Sequence, residues 1–135
     1  MDRICEKLYI GNYLDALDPE GLTTAGIRSV LSLDGTLEGA DYSQHDIVEI
    51  VAIELIDGAG NRPEKFLRAV RELARLVGES APVLVHCHAG QSRSAIVTAR
   101  YYIDYEGLSL AEAMERIADK RDIKVTPGLQ EALDF

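Results

Sequence analysis

Short apolar runs alternate along the chain with longer stretches whose apolar residues recur at helical spacing. Residues 8–10 (Leu-Tyr-Ile) read as a short strand stopped by Gly11, and Ser29–Leu33 as a buried strand ended by Asp34-Gly35. Ile47–Ile56 is a long β-branched stretch closed by a second Asp-Gly pair, Asp57-Gly58. Val83-Leu84-Val85, just after Pro82, reads as a further strand. Between them, Pro19–Ala25 suits a short helix and Thr36–Asp46 a polar loop. From Pro63 onward Phe66, Val70, Leu73 and Val77 mark a helix face that Leu67 and Ala74 widen, with Gly78 as its stop. A helix is predicted from Arg93 to Glu106, ended by Gly107. Ser109 and Glu112 form a capping-box pattern before a face of Leu110, Ala113, Met114, Ile117 and Ala118. Thr126-Pro127 opens a last short helix through Leu133.

Strands alternating with helices predict an α/β fold: one domain over residues 1–135, a small, mostly parallel central sheet with helices on its faces. In such sheets ligands lie beyond the carboxyl ends of the strands. Asp34, Asp57 and Cys87 fall at such ends.

Composition narrows the function. Of 135 residues, 47% are hydrophobic and 27% charged, which suits a globular core. A formal net charge of −9 argues against nucleic acid and against an anionic membrane surface as partners. An anionic ligand would need a local positive site working against that field. The first residues contain acids and no apolar core of a signal peptide, and no run reaches the ~20 residues of a membrane span. With two cysteines, Cys5 and Cys87, and no disulfide framework, the expectation is a soluble, cytoplasmic protein in a reducing compartment.

The candidate chemistry lies in Val83–Ala95, VLVHCHAGQSRSA. An apolar strand ends at His86, and the loop from Cys87 leads to a helix opening at Arg93. A helix N-terminus carries unpaired N–H groups and about half a positive charge, so a loop wrapped onto it can form an anion nest. Gly90 permits a tight turn, and Arg93 offers a bidentate fork for phosphate. The same field favours the thiolate form of Cys87, so an anion cradle and a nucleophile share one loop.

His86-Cys87-His88-Ala89-Gly90-Gln91-Ser92-Arg93-Ser94 reads H-C-x-x-G-x-x-R-S. It resembles the phosphate-binding loop of cysteine-dependent protein tyrosine phosphatases, with wording closest to the dual-specificity branch. LYIGNYLDAL, GIRSVLSL, an Asp about thirty positions before the cysteine and the SLAEAM helix follow the same layout. The resemblance implies hydrolysis of phosphotyrosine, and of phosphoserine or phosphothreonine if the cleft is shallow, through a cysteinyl-phosphate and without metal or other cofactor. Cys87 would be the nucleophile and Arg93 the phosphate-binding residue. The amides of His88, Ala89, Gly90, Gln91, Ser92 and Arg93 would cradle the phosphate. Ser94 would donate to the sulfur, His86 would order the loop, and Asp57 would be the general acid. Its implied partners are phosphorylated proteins or peptides, with phosphate-like oxyanions as inhibitors.

Two positions depart from the branch. Gln91 replaces a common aliphatic residue at the loop's rim, and Gly128 follows Pro127 where asparagine is common, removing a loop-supporting side chain.

Other readings are weaker. A zinc site would need His86 and His88 joined by His45 or Cys5, with no paired spacing. His88 reads as an outward side chain whose amide serves the loop, and Cys5 as a buried N-terminal residue. A lipid or RNA phosphatase would call for lysines beside the cysteine, and the loop has none. A non-enzymatic phospho-binding module would usually have lost the cysteine, arginine or acid, and a rhodanese-like sulfurtransferase fits the motif poorly. Asp34 shares the Asp-Gly setting of Asp57, so residue types alone leave the acid open between them.

Overall fold

The computed structural model describes residues 1–134. Its sheet contains β1 (Asp2–Cys5), β2 (Leu8–Gly11), β3 (Ser29–Ser32), β4 (Glu49–Ala52) and β5 (Val83–His86), in the spatial order β1-β2-β5-β3-β4. β1 and β2 are antiparallel; every other pair is parallel. The expected small, mostly parallel sheet is what forms. Central β5 aligns Val85 with Ile10 on one side and Leu31 on the other, so Gly11, Ser32 and His86 end level with one another.

Both faces of this sheet are covered, which is why β3 and β5 are buried at every position. Leu31, Val83 and Val85 pack with Phe66, Leu73 and Val97 on one face. Their neighbours Val30 and Leu84 point the other way, into Leu22, Ile27, Leu37 and Ile47. The helices are α1 (Tyr13–Ala16), α2 (Pro19–Thr24), α3 (Pro63–Glu79), α4 (Arg93–Glu106) and α5 (Leu110–Ala118), with 3₁₀ turns at Ser43–His45 and Leu129–Leu133.

Several boundaries differ from expectation for physical reasons. The β-branched stretch 47–56 pairs regularly only over β4, because its partner β3 ends at Ser32. Beyond it Ile53 and Leu55 still donate to the Ser32 and Leu33 carbonyls and stay buried. Gly78 does not stop α3, which runs to Glu79, as far as Pro82 two residues beyond Ser80 allows. Leu110 and Ala118 are exposed rather than packed, so α5 buries only Ala113 and Ile117. β1 has one buried residue, Ile4, too little to show as a strand pattern, and it leaves Cys5 exposed rather than buried. α1 depends on a capping box, Asn12 with Asp15, rather than on apolar periodicity. The final turn begins only at Leu129, because Gly128 sits at φ 94°.

Leu73 is fully buried under α3. Leu73→Ala should therefore lower unfolding free energy by about 2–5 kcal/mol in urea titrations. Arg68→Ala on the exposed side of the same helix should change it by less than about 0.5 kcal/mol.

Candidate active site

The Cys87–Ser92 loop joins the end of β5 to the start of α4, and its carbonyls are engaged one after another from outside. His86 Nδ1 donates to Cys87 O at 3.2 Å, and Tyr13 N to His88 O at 3.0 Å. Arg121 donates through Nη2 to Ala89 O at 3.2 Å and through Nε to Gly90 O at 2.6 Å. Lys124 N donates to Gln91 O at 3.0 Å, and Ile96 N closes the first α4 turn on Ser92 O at 3.0 Å. In a planar trans peptide the N–H points opposite to the C=O of the preceding residue. Carbonyls held outward from Cys87 to Ser92 therefore turn the amides of His88 to Arg93 inward, toward one point. Among the described residues, none of the amides from His88 to Ser92 has a protein acceptor. Ser92, at the N-cap of α4, makes no side-chain cap, so the helix end keeps its free N–H groups as well.

Gly90 is required at the tightest point. Its φ is +69°, and a β-carbon there would overlap the Gly11 carbonyl. Arg121 is the residue that sequence reasoning missed. It stands far along the chain, and its Nη1 pairs with Asp2 Oδ2 at 2.9 Å, tying β1 to the loop. The only available signal was a second arginine near the C-terminal turn.

Cys87 lies at the loop's base, 2% exposed, with Sγ 3.3 Å from Ser94 Oγ. Arg93 crosses the strand ends, its Nη1 donating to Leu55 O at 3.1 Å and Leu33 O at 3.4 Å. Its buried Nε has no protein partner, so a donor remains for a bound oxyanion. His86 is fully buried between Cys87 O and Ser32 Oγ, 2.7 Å from Nε2. With Nδ1 donating, Nε2 accepts from the Ser32 hydroxyl, which is the neutral tautomer. Burial holds the His86 pKa below 6.5 despite the nearby Asp34 carboxylate, 3.9 Å from Nδ1.

The two aspartates part company here. The Asp34 side chain is 4% exposed and accepts from Thr36 N at 2.9 Å. Burial pushes its pKa up, but the Thr36 hydrogen bonds, with the Arg93 charge behind them, bring it below the usual carboxylate value. It is a fixed anion behind the loop. Asp57 is exposed and reaches the loop from the other side, where Ser92 Oγ donates to its Oδ1 at 2.8 Å. Ser92 Oγ in turn accepts from Thr126 N at 2.9 Å. The hydroxyl thus bridges the Asp57 segment to Thr126. At φ +94° and against Ala59, Gly128 could not carry a larger side chain without displacing the Asp57 segment. His88 points outward as expected, its ring stacked on Tyr13 at 4.5 Å. His45 packs beside Tyr42, and Cys5 lies on β1 near the Tyr102 phenol.

The family model for the dual specificity phosphatase catalytic domain matches residues 8–133. The chain belongs to this family. As a dual specificity phosphatase domain it is 31% identical over 132 residues to the Drosophila melanogaster dual specificity protein phosphatase Mpk3, covering 95% of the chain. It spans between 32% and 56% of the length of the curated relatives it matches. Its fold superimposes on the crystal structure of human DUSP28 with a TM-score of 0.84, covering 99% of this chain and 93% of that one at 24% identity. A mouse putative dual specificity phosphatase, solved with zinc tungstate, gives the same TM-score at 24% identity, covering 98% of this chain and 83% of that one. The loop of this dual specificity phosphatase domain thus sits where the fold places a strand-to-helix cradle.

Two outcomes follow from the loop. Below pH 6.5 an unfolded His86 takes up a proton that the folded ring refuses, so acid favours the unfolded chain. Stability should be complete above pH 6.5 and fall as the pH drops below it. This slope should flatten in His86→Gln when urea midpoints are compared across pH. Arg121→Gln, which releases two carbonyls, should weaken tungstate binding by about ten-fold while the fold persists, measured by calorimetry.

Proposed function

We propose that this domain hydrolyses phosphate monoesters on proteins or peptides, phosphotyrosine foremost, through a cysteinyl-phosphate. The observation carrying this reading is one loop in which the amides of His88 to Ser92 have no acceptor among the described residues and Arg93 Nε is left unpaired, with Cys87 Sγ at its base beside Ser94 and Asp57 bonded to Ser92. The cradle and Arg93 hold the phosphoryl oxygens and the charge that grows on them. Cys87 sulfur attacks phosphorus as the bond to the leaving oxygen breaks, and Asp57 protonates that oxygen. A water then attacks phosphorus, giving its proton to Asp57, while the sulfur–phosphorus bond breaks. Ser94 Oγ, at 3.3 Å, donates to the departing thiolate and eases its release.

Asp57 is favoured over Asp34 because it is exposed beside the loop, where a leaving group would sit. Asp34 is buried and already bound to Thr36. The exposed His88 and Ala89 give the loop an open lip, which supports access for the shorter phosphoserine and phosphothreonine side chains. Phosphate-like oxyanions inhibit by filling the cradle, as the tungstate-bound neighbour suggests. Both cysteines are free, and the chemistry needs Cys87 reduced, which supports a reducing, cytoplasmic setting.

Cys87→Ser should reduce p-nitrophenyl phosphate turnover to background; a fully active serine variant would falsify the reading. Asp57→Ala should lower kcat by about 10²–10⁴-fold and remove the pH dependence arising from the acid. The same profile change in Asp34→Ala, with Asp57→Ala unaffected, would reverse the assignment.

A further inference from the structure

The chain carries a net charge of −9, yet one exposed helix surface is strongly basic. Arg62, Lys65, Arg68 and Arg71 line a groove along α3, with Glu64 as the single carboxylate among its lining residues. All four cations are exposed and none forms an ion pair with a described residue. Arg75, one turn further on, is a contrast: Glu49, Glu72 and Glu79 all pair with it. The sequence neutralises the cation beyond the groove and leaves those in the groove free. Lys65, Arg68 and Arg71 lie away from the buried residues Phe66, Val70 and Leu73, and Arg62 stands at the N-cap of α3, so core packing does not explain them.

The groove's position gives it meaning. α3 follows the Asp57 segment and starts at the end of the sheet that carries the phosphate loop. Arg62 shares a cavity of about 300 Å³ with Gly58 and Gly128, beside Asp57, and Asn61 braces the segment by bonding both ways to Ile56. The stripe therefore runs from the rim of the site outward. From Arg62 to Arg71 it spans about 14 Å at 1.5 Å per residue. That matches roughly four residues of extended peptide at about 3.4 Å each.

Resting on the proposed phosphatase activity, we propose that Arg62, Lys65, Arg68 and Arg71 form a docking stripe for a short acidic run flanking the phosphorylated residue of a protein substrate. The occupant is a peptide because the stripe is one helix wide and leads into the site. An anionic membrane plane would also meet a domain whose net charge is −9. Carboxylates on the stripe exchange contact with water for contact with unpaired cations, while the rest of the domain repels them. The stripe thus selects the direction in which an acidic substrate lies.

The test compares two phosphotyrosine peptides, one flanked by four Asp/Glu residues and one by Asn/Gln, with the acidic run placed on either side. Wild-type protein should favour the acid-flanked peptide in kcat/KM by about ten-fold at low salt, and less at high salt. Lys65→Glu/Arg68→Glu/Arg71→Glu should erase or invert the preference while leaving p-nitrophenyl phosphate turnover unchanged. A preference that survives in this variant, or none in wild type, overturns the proposal. If circular dichroism shows the variant misfolded, Arg68→Gln/Arg71→Gln provides the same comparison. If wild type hydrolyses neither peptides nor p-nitrophenyl phosphate, the phosphatase reading fails. Fluorescence anisotropy of the labelled acidic peptide then decides the stripe, with loss in the triple variant expected and equal binding overturning it. Binding to phosphatidylserine vesicles without peptide preference also overturns it.

Discussion

Everything at this site depends on which way six consecutive carbonyls face. From Cys87 to Ser92 each is held from outside, by the His86 ring, Tyr13, Arg121, Lys124 or the first turn of α4. Planarity of the peptide does the rest and turns the amides inward. The positive end of α4 adds to the same point. A domain of net charge −9 thereby gathers local positive potential at one loop. It orients backbone dipoles, two of them through the Arg121 guanidinium, and adds Arg93 and the helix end.

The same economy explains the arrangement of acids. Two Asp-Gly pairs close two neighbouring parallel strands, and the chain gives them different environments. Asp34 is fixed by Thr36 and faces a neutral, buried His86, so it serves the loop's frame. Asp57 is held only by the Ser92 hydroxyl and remains in reach of solvent. Burial and hydrogen bonding separate a fixed carboxylate from an accessible one, although their local sequences match. Charge placement continues this logic on α3, where Arg75 is tied up and its neighbours toward the site are not.

Much of the fold was legible because its central strands are buried on both faces and its long helices are amphipathic. SVLSL and VLV could be little else than strands, and α5 announced itself through Ser109 and Glu112. The loop motif likewise pointed to Cys87, Arg93 and Gly90 before any geometry. What stayed hidden had no local signature. β1 buries only Ile4 and forms because β2 offers an edge. The role of Arg121 depends on contacts with residues about thirty and more than a hundred positions away. Ser92 was legible only through its amide, whereas its hydroxyl joins Asp57 to Thr126. The choice between Asp34 and Asp57 could not come from composition, since it turns on exposure.

The Arg121 contact has a kinetic meaning. Its guanidinium joins Asp2 to the loop across 119 positions, so this contact closes nearly the longest loop the chain possesses. Contacts of such separation are entropically costly and tend to form late. Two of the six carbonyls, those of Ala89 and Gly90, are held by this same guanidinium. The geometry around Cys87 therefore depends on a tie to the other end of the domain, and a change at Asp2, remote in sequence, reaches the loop through a single guanidinium.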